Sequence, residues 1–157
     1  MSDQPPPPDS PLDPTESSER ESVSIYEKLA RLDVSGKVKA ALLGSREERE
    51  ILIRESNRLV YTAVLQSPKL TIQEVEKIAN MKNISDDILR IISEKRDWVS
   101  NYSVILALVR NPRTPIPSSI KFIPRLQDRD LRFLSKDKTV PEPVRKMAKQ
   151  LAMAKKL

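Results

Sequence analysis

The chain has no cysteine, no histidine and two glycines among its 157 residues, and only six aromatic side chains. Without cysteine there is no disulfide, thiolate nucleophile, thiolate-held zinc or cysteine-bound iron–sulfur cluster. Lack of histidine removes the commonest general base and metal ligand, and the only side chain that ordinarily titrates near neutral pH. The scarcity of glycine, with no Asn-Gly or Asp-Gly pair, argues against hairpin-rich sheets. Long apolar stretches are missing too: the longest unbroken run is the six residues Val104–Val109, far short of a membrane span. The start, Met1-Ser2-Asp3-Gln4 followed by four prolines, has neither the basic region nor the apolar region of a secretory signal. A reducing cytoplasm is the expected address, with no membrane span.

What is present divides into two parts. Residues 1–22 hold six of the 13 prolines, six acids and a single base, Arg20, with almost nothing to bury, so this segment is expected to be a disordered tail. Its run Pro5–Pro8 has the composition of a polyproline II ligand, although a plain solvated leader is the simpler reading. Residues 23–157 are expected to form one domain, long enough to fold on its own core.

That domain is internally repetitive. Leu59-Val60-Tyr61-Thr62-Ala63-Val64-Leu65-Gln66-Ser67-Pro68 returns 44 residues later as Ser103-Val104-Ile105-Leu106-Ala107-Leu108-Val109-Arg110-Asn111-Pro112. A fainter copy, Val38–Ser45, precedes the first by 22 residues, so the period is either one long repeat or two helical pairs. Ile88–Ser93 is echoed by Asp130–Ser135 at a spacing of 42, which places Arg90 and Arg132 at matching positions. Periods of this size mark arrays in which each unit buries its apolar face against its neighbours.

Local signals predict helices. Ser24-x-x-Glu27, Ser45-x-x-Glu48 and Thr71-x-x-Glu74 have the form of capping boxes, in which a hydroxyl and a carboxylate satisfy the free amides of a helix start. Ser85 ahead of Asp86-Asp87 marks another start, Asn111-Pro112 a stop, and Thr114-Pro115 the next start. Gly44 is expected to close a helix in the left-handed conformation. The run Val104–Val109 is short enough to be a buried strand, but Leu106, Ala107 and Leu108 favour a buried helix. About ten short helices follow, and the fold class is all-α.

The Ala-Leu-Val-Arg-Asn-Pro-Arg-Thr-Pro stretch at 107–115, its copy at 63–71 and the tail Val140-Pro141-Glu142-Pro143-Val144-Arg145 resemble leucine-rich repeat variant and HEAT-like repeats. Over residues 35–150 that resemblance implies a right-handed α-solenoid of stacked helix pairs, with Asn-Pro and Thr-Pro at the turns. The phrases Arg46-Glu47-Glu48-Arg49, Arg54–Val60 and Arg129-Asp130-Leu131-Arg132 are similar to phrases in uncharacterised bacterial repeat proteins. The iron–sulfur segment of the leucine-rich repeat variant family does not carry over, because the chain has no cysteine. No cofactor is expected.

Charge supplies the functional clue. Residues 110–157 contain 13 bases and four acids, whereas residues 23–109 are nearly balanced at 14 and 12. A basic surface of this kind suits nucleic-acid phosphates or an acidic protein, and it equally suits the polar cap of a terminal repeat. Arg90, Arg96, Arg110, Arg113, Arg125, Arg129 and Arg132 are the candidate binding residues, with Trp98 as an aromatic platform that one helix face shares with Tyr102. Core packing is the alternative for Trp98 and Tyr102.

No catalytic set emerges. Asp86/Asp87 and Asp128/Asp130 sit at expected helix starts, Ser118 and Ser119 have no activating base, and Gly36-Lys37 lacks the rest of a phosphate loop. A HEAT-like glycosylase would work through a carboxylate, and nothing singles one out. The expected function is therefore a non-enzymatic scaffold binding a protein partner along its concave face. The alternative is nucleic-acid binding through the basic C-terminal third.

Overall fold

A computed structural model describes residues 13–155, and among them all regular structure is helical. In order the helices are α1 (Pro14–Ala30), α2 (Val34–Leu43), α3 (Arg46–Leu52), α4 (Arg58–Gln66), α5 (Ile72–Ala79) and α6 (Asp86–Glu94), followed by α7 (Arg96–Val99), α8 (Tyr102–Arg110) and α9 (Ile116–Ile120). A single 3-10 turn, Ile123–Arg125, then leads to α10 (Asp128–Leu134) and α11 (Glu142–Ala154). The expected all-α class holds, and Val104–Val109 lies within a helix rather than a strand.

Most of the punctuation performs as its chemistry requires. The Ser45/Glu48 and Thr71/Glu74 capping boxes both close, and Ser85 accepts the amide of Asp87. Ser24 does not start a helix, because α1 begins ten residues earlier. There Asp13 accepts the Thr15 amide at 3.0 Å and Pro14 takes the first turn, where its missing N–H costs nothing. From Thr15 to Ala30 no glycine or proline interrupts, so the helix runs through residues 14–22, which the sequence assigns to the irregular tail. The Pro5–Pro8 run lies outside the described residues.

Gly44 also departs from expectation, with φ −77° and ψ −174° rather than a left-handed cap. Its requirement for glycine is spatial: a Cβ there would sit 2.3 Å from the Ala40 carbonyl and 2.8 Å from the Glu48 carboxylate. The tight link between α2 and α3 thus brings backbone and capping carboxylate together at the one residue without a side chain.

One continuous apolar core runs from Leu29 to Ala148. It is built from helices one to three places apart in the chain: α2 packs on α4, α5 on α8, α9 on α11 and α10 on α11. The 44-residue repeat is visible in register, since α4 and α8 are both nine-residue helices that begin 44 residues apart. Their C-caps, Ser67 and Asn111, do the same job. The Ser67 hydroxyl donates to the Leu42 carbonyl at 2.9 Å, and the Asn111 amide donates to the carbonyls of Ala79 and Met81 at 2.8 and 2.7 Å. Two residues on, Lys69 donates to the Leu43 carbonyl at 3.0 Å and Arg113 to that of Ile84 at 3.2 Å. Each copy therefore ties itself to a helix end or turn earlier in the chain, satisfying carbonyls that a helix end leaves free.

Candidate interaction surfaces

The charged groups of the interior are committed to holding helices together. Arg49 on α3 donates from Nε and Nη2 to the two oxygens of Glu74 on α5, at 2.9 and 3.2 Å, and from Nη1 to the Gly44 carbonyl at 2.8 Å. Both side chains are buried. Burial alone would push the Glu74 carboxyl up, but the Arg49 bonds and the Thr71 amide outweigh it and hold the group below the usual carboxylate range. The pair is a fork-on-fork clamp. The cavity beside it, about 20 Å³, has room for nothing larger than a water molecule.

A second link recurs between alternate helices. The Tyr61 hydroxyl on α4 donates to Asp87 in the first turn of α6 at 2.8 Å, and the Tyr102 hydroxyl on α8 donates to Asp130 in the first turn of α10. Arg58 stands 3.7 Å from Asp87 and Arg110 stands 3.5 Å from Asp130. Bonds from Arg90 and then Tyr61 lower the Asp87 carboxyl, while burial followed by the facing carboxylate raises both tyrosines. Asp86, Asp87, Asp128 and Asp130 all stand at helix starts, where negative charge meets the positive end of the helix dipole. Among the described residues no group of three or more acidic side chains could hold a metal ion.

The expected basic residues separate into two sets. Arg90 pairs within its own helix, with Asp87 and Glu94. Arg113 holds Ile84 and Asp86, and Arg125 donates to the Val99 carbonyl at 3.0 Å. These three are staples within a helix or between neighbouring segments. Arg96 is exposed on α7, remote in role from Trp98, whose ring packs on the core beneath the Lys95 ammonium at 5.4 Å. Trp98 and Tyr102 do not share a helix face, because α7 ends at Val99 and α8 begins at Tyr102. Arg90 and Arg132 likewise share a repeat position but no role, since Arg132 is exposed without an ion pair among the described residues.

The remaining set gathers on α10. Arg129 and Arg132 project to solvent beside Phe133, which is 59% exposed. The Arg110 guanidinium lies 4.9 Å from that ring centre, and Lys136 and Lys138 line the same depression. Sequence reasoning passed over Phe133. Its signal was available: the buried seam of α10 is Asp130, Leu131 and Leu134, and Phe133 falls outside it.

A second surface, absent from the sequence reading, lies between α2 and α4. Val34, Val38, Leu42, Leu59 and Ala63 line an open groove of about 710 Å³ whose polar margin is Ser35, Arg58, Thr62 and Gln66. Leu59 opens it at 66% exposure. The repeat concealed this residue, because its partner 44 residues on is Ser103. No family model matches the chain, and neither a curated protein nor a solved structure matches it.

Proposed function

We propose that this chain is a short, non-enzymatic α-solenoid of stacked HEAT-like or leucine-rich-repeat-variant helix pairs that binds a protein partner in the α2/α4 groove. The array reading is supported by the reach of its side-chain bonds. Among the described residues, those joining positions more than five apart span 18 to 32 residues, a distance of about one unit. The observation carrying the binding reading is Leu59, a large apolar side chain held open to water in the first turn of α4 above an apolar floor. A leucine in this setting gains by being covered, and the groove suits the apolar face of a partner helix.

A photocrosslinker at Gln66, on the groove margin, should capture a defined partner segment in lysate, and Leu59→Asp should abolish capture without lowering the melting temperature. Capture unchanged by Leu59→Asp would overturn the groove assignment. The second reading, nucleic-acid binding, is favoured by Phe133 among Arg110, Arg129, Arg132, Lys136 and Lys138, an aromatic face within a basic surface. Anisotropy with labelled single and double strands reads it directly. Phosphate contacts would make affinity fall steeply with salt and fall again in Phe133→Ala.

A further inference from the structure

Helix α1 carries a stripe that nothing in the monomer covers. Glu16, Glu19, Val23, Tyr26 and Ala30 follow one another at three, four, three and four residues, the spacing that sets side chains on one helix face. All five are exposed, with Val23 at 57% and Tyr26 at 62%, while α1 is anchored to the core through the neighbouring face of Ile25 and Leu29. At the other end of the chain, α11 buries Val144 and Ala148 and leaves Lys146, Lys149 and Met153 exposed, Met153 at 60%. Neither lysine has an ion pair among the described residues.

The two stripes match in order and in spacing. Glu16, Glu19 and Val23 are separated by three and then four residues, and so are Lys146, Lys149 and Met153. With equal rise per residue, a parallel pairing sets Glu16 against Lys146, Glu19 against Lys149 and Val23 against Met153. Charge chooses between the ways two copies can meet. In a parallel pairing, α1 with α1 opposes carboxylates and α11 with α11 opposes ammonium groups, whereas α1 with α11 opposes unlike charges at both charged positions and apolar side chains at the third. The surrounding charge agrees, since residues 1–22 have six acids to one base and residues 110–157 have 13 bases to four acids.

We infer that α1 of one copy docks in parallel on α11 of a second copy, joining chains head to tail. Such a contact is heterologous: each copy still offers a free α1 and a free α11, so assembly proceeds beyond the dimer unless a ring closes. It places a helix against the last helix of the array, continuing the stack across the molecular boundary. Because the ion pairs are solvent-exposed, association weakens as salt rises.

Sedimentation velocity of the full chain across a concentration series at low salt tests this. The expected result is a weight-average mass that climbs with concentration past the dimer, or stops at a closed ring, and falls on adding salt. Glu16→Lys with Glu19→Lys, Lys146→Glu with Lys149→Glu, and Met153→Asp should each weaken association about tenfold or more. The four-fold charge exchange in one chain should restore it, a rescue that general loss of fold would not produce. Phe133→Ala and Leu59→Asp should leave it unchanged, which separates this contact from both binding surfaces above. A chain that stays monomeric at low salt, a symmetric dimer that survives the Lys146/Lys149 reversal, or a four-fold exchange that restores nothing would each overturn the proposal.

Discussion

Arg49 and Glu74 show how a charged side chain becomes structural at the scale of a single residue. Removing two charges from water is costly, and the cost is recovered only when every donor and acceptor is used. Arg49 uses Glu74 and the Gly44 carbonyl, and Glu74 additionally caps α5 through Thr71. Glu74→Gln keeps the shape and removes the charge, leaving a buried guanidinium unpaired. We expect it to cost about 3–5 kcal/mol in urea unfolding. Lys77→Ala, which breaks an exposed pair with Glu50 on the same two helices, should cost about 1 kcal/mol or less. Equal effects of the two substitutions would show that the clamp is solvated.

Among the elements, α8 is the most deeply embedded repeat helix. Val104, Ile105, Ala107, Leu108 and Val109 are buried, so apolar contact surrounds most of its circumference. It meets α5 on one side and α6, α7 and α9 elsewhere. Its C-terminus is fixed by Asn111, which reaches back to the end of α5 and the turn beyond it. Ala107→Asp would place an unpaired carboxylate among these contacts at a cost of several kcal/mol, comparable to the stability of a whole domain of about 5–15 kcal/mol. Circular dichroism should therefore show loss of the cooperative helical transition. Helix α1 is the opposite case, seventeen residues long with Leu29 as its buried side chain, and its helicity rests on local propensity and its Asp13 cap.

For the whole molecule the pattern of titratable groups sets the pH range of stability. The folded carboxyls of Glu74 and Asp87 lie below their ordinary values. Each therefore stabilises the fold fully above the ordinary carboxylate range and loses that contribution as pH falls through its depressed folded value. The folded phenols of Tyr61 and Tyr102 lie above their ordinary value. Their contribution is complete below the ordinary tyrosine range and is lost as pH rises through the raised folded value, because the unfolded chain ionises first. With no histidine between these limits, the melting temperature should be flat from about pH 6 to pH 9 and decline on both sides. A step near neutral pH in a thermal-shift series would contradict this assignment of the linked groups.

Composition and local order determined much of this protein by themselves. The helical class follows from helix-forming residues with few glycines, and the starts of α3, α5 and α6 from hydroxyls standing two or three residues ahead of their carboxylates. These are interactions within one turn, so they are written in adjacent residues. The core position of α8 was legible for a similar reason, since a nine-residue helix that is apolar on most sides has to be enclosed. The extension of α1 to Pro14 was missed because acid and proline content describes a segment's inability to form a core, and a single helix needs no core to be drawn from its cap. Tertiary structure alone decided which basic residues are free. Arg113 and Arg125 are as basic in sequence as Arg129 and Arg132, but their partners Ile84, Asp86 and Val99 are brought to them by how the helices pack on one another, whereas Arg90 finds Asp87 and Glu94 within its own helix. The exposure of Leu59 and Phe133 is of the same kind: an apolar side chain announces its need for burial, and only the placement of neighbouring helices determines whether that need is met.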